Sequence, residues 1–202
     1  MGISAKQFEE LQQRVVGRKR PAKAAALGLD AAPRKRHDLI LGVDPSLRGT
    51  GYGVVRLGKP HPIAIAHGTI SCPASWTRSR CLMKIAQTLR EVLREHLPEV
   101  CAIEGLFFAQ NLQTALIMGE ARGAALATVA EAGLDIFELS PRRVKQAIVG
   151  YGGAQKLAVA KMVQRLLHLE ELPDPDAADA LAIALAHGQE SSRLALSRPK
   201  QI

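Results

Sequence analysis

Four acidic residues interrupt otherwise aliphatic stretches of this chain. Asp44 closes LILGVD and Glu104 closes VCAIE, and each follows an apolar run that reads as a buried strand. An ionised carboxylate beside such a run is costly without a hydrogen bond or a cation. Asp176 and Asp179 stand three apart in PDAADALAIALAH, so on a helix their side chains are neighbours. Turn and capping chemistry covers part of this: Asp-Pro opens turns, and Asp174 or Asp176 suits a helix start. Asp179 lies beyond the first turn, on the stripe of Ile183 and Ala186, where capping gives no account. Carboxylates on three elements repel one another in an empty site, which raises one or more pKa values. A hard divalent cation with oxygen ligands removes that repulsion, and Mg²⁺ accepts a few carboxylates plus water and substrate phosphate. Two such ions can clamp the attacking and leaving oxygens of a phosphodiester. The chemistry indicated is metal-dependent phosphoryl hydrolysis. The histidines show no HExxH or similar spacing, which argues against zinc.

The elements that must position these acids follow from the pattern around them. Residues 38–57 read as two strands joined at Asp44-Pro45, and HPIAIAHGTISC reads as a third. Leu82, Ile85, Ala86, Leu89 and Leu93 recur at three and four, an amphipathic helix stopped by Pro98. EVCAIEG is the fourth strand, an Ala-rich helix runs over about residues 111–132 to Gly133, and LDIFELS is the fifth strand. Ser140-Pro141 pairs an N-cap residue with proline at the first helical position. A short helix, the glycine-rich GYGGAQ, a further helix and a last one opening at Pro173-Asp174-Pro175 complete the chain. Three successive strands, then helix, strand, helix, strand and only helices, suit an α/β fold with a mixed five-stranded sheet and helices on both faces.

With 202 residues, 47% of them hydrophobic and 23% charged, the chain can bury a sizeable core, and at 3% aromatics that core must be aliphatic and Ala-rich. No run approaches the ~20 apolar residues of a membrane span, and the first residues lack the apolar stretch of a secretory signal. Cys72, Cys81 and Cys101 form no CxxC and no even framework, as expected of a cytoplasmic protein. The net charge of +8 is uneven: residues 1–37 hold nine Lys/Arg against three acids. That stretch reads as a basic, poorly ordered arm able to meet any polyanion, or as a solubilising tail. Residues 38–189 form the expected domain, and 190–202 a flexible tail.

ILGVDPSLRGTGYGVV at 40–55, AIEGLFFAQN at 102–111, GEARGAAL at 119–126, RRVKQAIVGYGGAQK at 142–156 and PDAADALAIALAH at 175–187 resemble the RuvC family of Holliday junction resolvases, in order and with family-like spacing. The resemblance implies an RNase H-like fold and a homodimer that cuts symmetric strands of four-way junction DNA during recombination and repair. It implies two Mg²⁺ ions per site, replaceable by Mn²⁺, on Asp44, Glu104, Asp176 and Asp179, the quartet that charge alone selects. It also implies a base-stacking role for Phe107, phosphate contacts from Lys145 and Lys156, and work beside a branch-migration helicase complex. Lys156 additionally follows a glycine-rich turn at a helix start, where backbone N–H groups favour a phosphate. Two positions depart from the family pattern: Ser46 stands where glycine is usual, with strain expected if that turn needs positive φ, and Gly105 stands where glutamine is common. A second reading is an RNase H-like nuclease acting on RNA or ribosomal RNA precursors, which would need neither the Phe107 loop nor the long helix after it. A sugar-kinase-like ATPase would need a second lobe, and a silent DNA-binding module leaves the four acids without purpose.

Overall fold

In a computed structural model describing residues 37–105, 111–192 and 200–202, the aliphatic runs lie side by side in one sheet. Strands β1 (Leu39–Asp44), β2 (Gly49–Arg56) and β3 (Ile63–Ser71) form an antiparallel meander. Helix α1 (Arg78–His96) leads to β4 (Val100–Glu104), which pairs parallel to β1. Helix α2 (Leu112–Glu131) leads to β5 (Asp135–Leu139), parallel to β4. Helices α3 (Pro141–Val149), α4 (Lys156–Leu167) and α5 (Pro175–Ser192) follow, and β6 (Lys200–Gln201) closes an order of β3-β2-β1-β4-β5-β6.

The sheet thus has six strands where the sequence pattern shows five. The sixth is two residues long and pairs antiparallel with the free edge of β5, Phe137 with Gln201 and Glu138 with Lys200. Two polar residues carry no period-two signal. The boundary at residue 189 also falls inside α5, because Glu190 is held by the Arg143 guanidinium of α3, at 3.0 Å from Nε and 2.9 Å from a terminal nitrogen. Residues 1–36, most of the basic arm, lie outside the described residues.

Strand alternation sorts the core into two layers. Leu41, Val43, Cys101, Ile103 and Ile136 pack under α1 and α2, with Ile85, Leu89, Ala121, Ala125 and Val129. Ile40, Val100, Ala102 and Leu139 face α3, α4 and α5, with Val144, Val159, Val163 and Leu181 to Ala186. The helix ends follow local chemistry. The Asn111 side chain accepts from the Thr114 N–H at 2.8 Å, Ser140 accepts from that of Arg143 at 3.3 Å, and α3 stops at Gly150 with φ 91°.

Helix α5 approaches β1 and β2 closely because glycines stand beneath it. A Cβ added at Gly42 would come closer than 3.0 Å to the backbone of Ala180 and Ala184. One at Gly51 would meet the Asp176 backbone, and one at Gly53 the Leu181 side chain, also inside 3.0 Å. The residues of α5 that meet these glycines are Asp176, Ala177, Ala180, Leu181 and Ala184.

Candidate active site

Asp44 and Glu104 end adjacent parallel strands. Alternation from Ile40 and Ala102 turns both side chains toward the face that α5 covers. The two carboxyl groups are close enough for each to figure among the influences on the other. Burial is the main force on both, followed by the neighbouring negative charge. It pushes Glu104 up to about 8, with Asp44 the next cause, and Asp44 up to about 6, with Asp179 the next cause.

The other acids come from the first turns of α5. Asp176 is raised by burial and by Asp179, against the pull of Lys156. Asp179 accepts a 2.7 Å charge-assisted hydrogen bond from Lys156 Nζ at the start of α4. That bond, more than any other influence, holds the lysine proton more tightly than usual. Lys156 is also the cation that acts on Asp44, Glu104 and Asp176. The structure therefore brings together Asp44, Glu104, Asp176, Asp179 and Lys156. Lys145 lies half-buried on α3 and is not among the charges that shift these acids. Phe107 lies outside the described residues.

The donor set is entirely carboxylate oxygen, suited to a hard divalent cation. Among the described residues, no group of three or more His, Cys, Asp or Glu is placed to hold a metal ion. Asp44 and Glu104 stand instead as neighbouring buried acids, and Asp179 is paired with Lys156. The Lys156 ammonium already supplies positive charge beside these acids, and a divalent cation would relieve the same repulsion.

The turn after Asp44 is free of the strain that serine would bring to a left-handed position. Among the described residues only Leu97 and His168 are non-glycine with positive φ. Ser46 instead donates its N–H to the Thr50 hydroxyl at 3.2 Å, and that hydroxyl donates back to the Ser46 carbonyl. Gly105 is buried and donates to the Leu139 carbonyl at 2.9 Å, continuing the β4–β5 ladder one residue past Glu104.

Sequence reasoning missed the glycines that place Asp176. A Cβ at Gly49 would strike the Asp176 carboxylate, and one at Gly51 its backbone. The signal is present: Gly49, Gly51 and Gly53 recur at period two on one strand face, which marks a close backbone approach.

The buried acids give a signed pH prediction. Folding raises the Glu104 pKa from the ordinary 4.5 to about 8, so the folded chain binds more protons than the unfolded chain between those values. Stability then falls as pH rises through that window. Melting curves without divalent metal should show a Tm that declines from about pH 5 to pH 8, and Glu104→Gln should flatten the decline. A Tm independent of pH over this range would contradict the buried, coupled geometry.

A mixed sheet with acids at the ends of two adjacent parallel strands, crossed by an acid-bearing helix, places the chain among the RNase H-like nucleases. Residues 40–187 match the family model described as crossover junction endodeoxyribonuclease RuvC. The chain is 47% identical over 148 residues to the crossover junction endodeoxyribonuclease RuvC of Akkermansia muciniphila, covering 73% of this chain and 89% of that one. It is 43% identical over 149 residues to that of Syntrophomonas wolfei, covering 73% and 87%. The solved structure of Thermus thermophilus RuvC in complex with a Holliday junction substrate superposes with a TM-score of 0.73 at 34% identity, over 81% of this chain and 100% of that one. This chain belongs to the RuvC family of crossover junction endodeoxyribonucleases.

Proposed function

We propose that this chain resolves Holliday junctions by paired, Mg²⁺-dependent hydrolysis of symmetric strands during recombination and repair. The observation that carries the reading is the grouping of four carboxylates, from three elements, around one lysine. Asp44, Glu104, Asp176 and Asp179 would hold the cation, with two ions per site and Mn²⁺ as a substitute following from the family resemblance. When bound, the metal supplies the charge that activates water and stabilises the leaving oxygen. The chain's own residues do the rest. Burial raises both Glu104 and Asp44, and a bound cation would favour their ionised forms. Lys156, tethered to Asp179, offers an ammonium to a phosphate oxygen at the start of α4. The family resemblance gives Lys145 a phosphate contact and Phe107 a stacking role on a base near the opened junction.

A homodimer supplies the second, symmetric cut. The exposure of Leu112 (76%) and Leu116 (57%) on α2 supports that helix as the dimer face. A branch-migration helicase complex as partner and a cytoplasmic location follow from the resemblance. Among the described residues no helix is long and apolar enough to cross a membrane.

The test is a labelled mobile four-way junction with Mg²⁺, run beside a linear duplex of the same sequence and an RNA–DNA hybrid. Paired nicks at symmetric positions on the junction alone are expected. Preferred cutting of the hybrid would replace this reading with the RNA nuclease.

A further inference from the structure

Behind the acids, on the opposite face of the sheet, lies an ion pair that the cleavage chemistry does not use. Arg122 reaches from α2 to Glu138 of β5 in a close charge-assisted hydrogen bond, with side chains only 14% and 22% exposed. Glu138 stands opposite Ile103 in the β4–β5 register, so it flanks the last residues of β4. The Arg122 Nε donates at 3.4 Å to the backbone carbonyl of Glu104. One residue on, the Gly105 N–H is bonded to Leu139, and the ladder ends there. The peptide that sets the direction of the Glu104 side chain is thus held through its carbonyl from α2 and through the next N–H from β5.

We infer that Arg122, oriented by Glu138, is a positioning residue for Glu104, fixing its backbone from the far side of the sheet. The inference rests on the resolvase reading for its rate readout. A guanidinium can serve both acceptors because its donors are forked in one plane; a lysine ammonium keeps the charge opposite Glu138 but loses the fork. Its placement on α2 also ties Glu104 to the helix proposed as the dimer face, so seating of the partner would be felt at one carboxylate in each site.

The experiment compares the full chain with Arg122→Lys, Arg122→Met and Glu138→Gln. It reads the single-turnover rate on a four-way junction with Mg²⁺, junction affinity without divalent metal, Tm, and deuterium exchange at the Gly105 amide. Partners that orient metal-binding carboxylates are typically worth 10- to 100-fold, and a rate loss of about that size is expected for Arg122→Lys, with affinity and Tm near wild type and faster exchange at Gly105. Wild-type rate and exchange in Arg122→Lys would overturn the inference, as would a rate that merely tracks Tm across the three variants. If the wild-type chain leaves junctions uncut, the resolvase reading falls, and exchange at Gly105 alone decides: faster in Arg122→Lys upholds the positioning role, unchanged removes it.

Discussion

Asp44→Asn leaves junction binding in place and lowers the cleavage rate by at least roughly 10²–10³-fold, the scale of losing one preorganised electrostatic contact. The amide is nearly isosteric, so the end of β1 and the Thr50-bridged turn after it are undisturbed. What changes is charge: an amide cannot ionise, and its NH₂ points a donor where a cation needs an acceptor. Binding survives because DNA affinity comes from cations on the protein, and one fewer anion near the phosphates only reduces repulsion. The same substitution removes a negative charge that raises Glu104, so its Tm without metal at about pH 8 should exceed wild type. Single-turnover cleavage, gel-shift affinity and melting curves check the three parts. Robust turnover by the variant would remove Asp44 from the mechanism.

The second large effect comes from a residue with no functional group. In Gly51→Ala the new methyl falls inside 3.0 Å of the Asp176 carbonyl, and backbone cannot rotate away as a side chain can. Strand β2 is held by β1 on one side and β3 on the other, so α5 must lift instead. Overpacking of this kind costs about 1–3 kcal/mol, or a Tm lower by roughly 2–12 °C for a domain of this size. Cleavage should fall much further than stability, because the lifted turn carries Asp176. Gly49→Ala separates the two effects, since its methyl meets the Asp176 carboxylate end rather than backbone, and should lower activity with a smaller change in Tm. Gly58→Ala, whose methyl finds nothing nearer than 3.8 Å, serves as the neutral control. Full activity in Gly51→Ala would show that α5 can shift without moving the acids.

The strands and helices around the site are legible because their patterns are long and periodic: aliphatic runs of five to nine residues, and helices closed by Asn111, Ser140-Pro141 and Gly150. The four acids are legible because a carboxylate at the end of an aliphatic run is conspicuous. What pattern does not reveal depends on approach between distant segments. Strand β6 exists because the edge of β5 is open, not because Lys200 and Gln201 favour a strand. That burial and neighbouring charge raise both Glu104 and Asp44 depends on distant segments that neither strand end shows. Arg122 sits in GEARGAAL, yet nothing in that string tells that its guanidinium reaches the Glu104 carbonyl across 18 residues.

The glycine bed beneath α5 also bears on how this enzyme can change over generations. A catalytic acid has chemical understudies, as aspartate and glutamate or an acid and its amide can be exchanged and the damage graded. The bed has none, since every alternative to glycine carries a Cβ, and at Gly42 and Gly51 the first atom added already collides with helix backbone. Drift at these positions therefore has no gentle intermediate, and the lineage can explore new geometries for Asp176 only by remodelling the helix, never by decorating the strand.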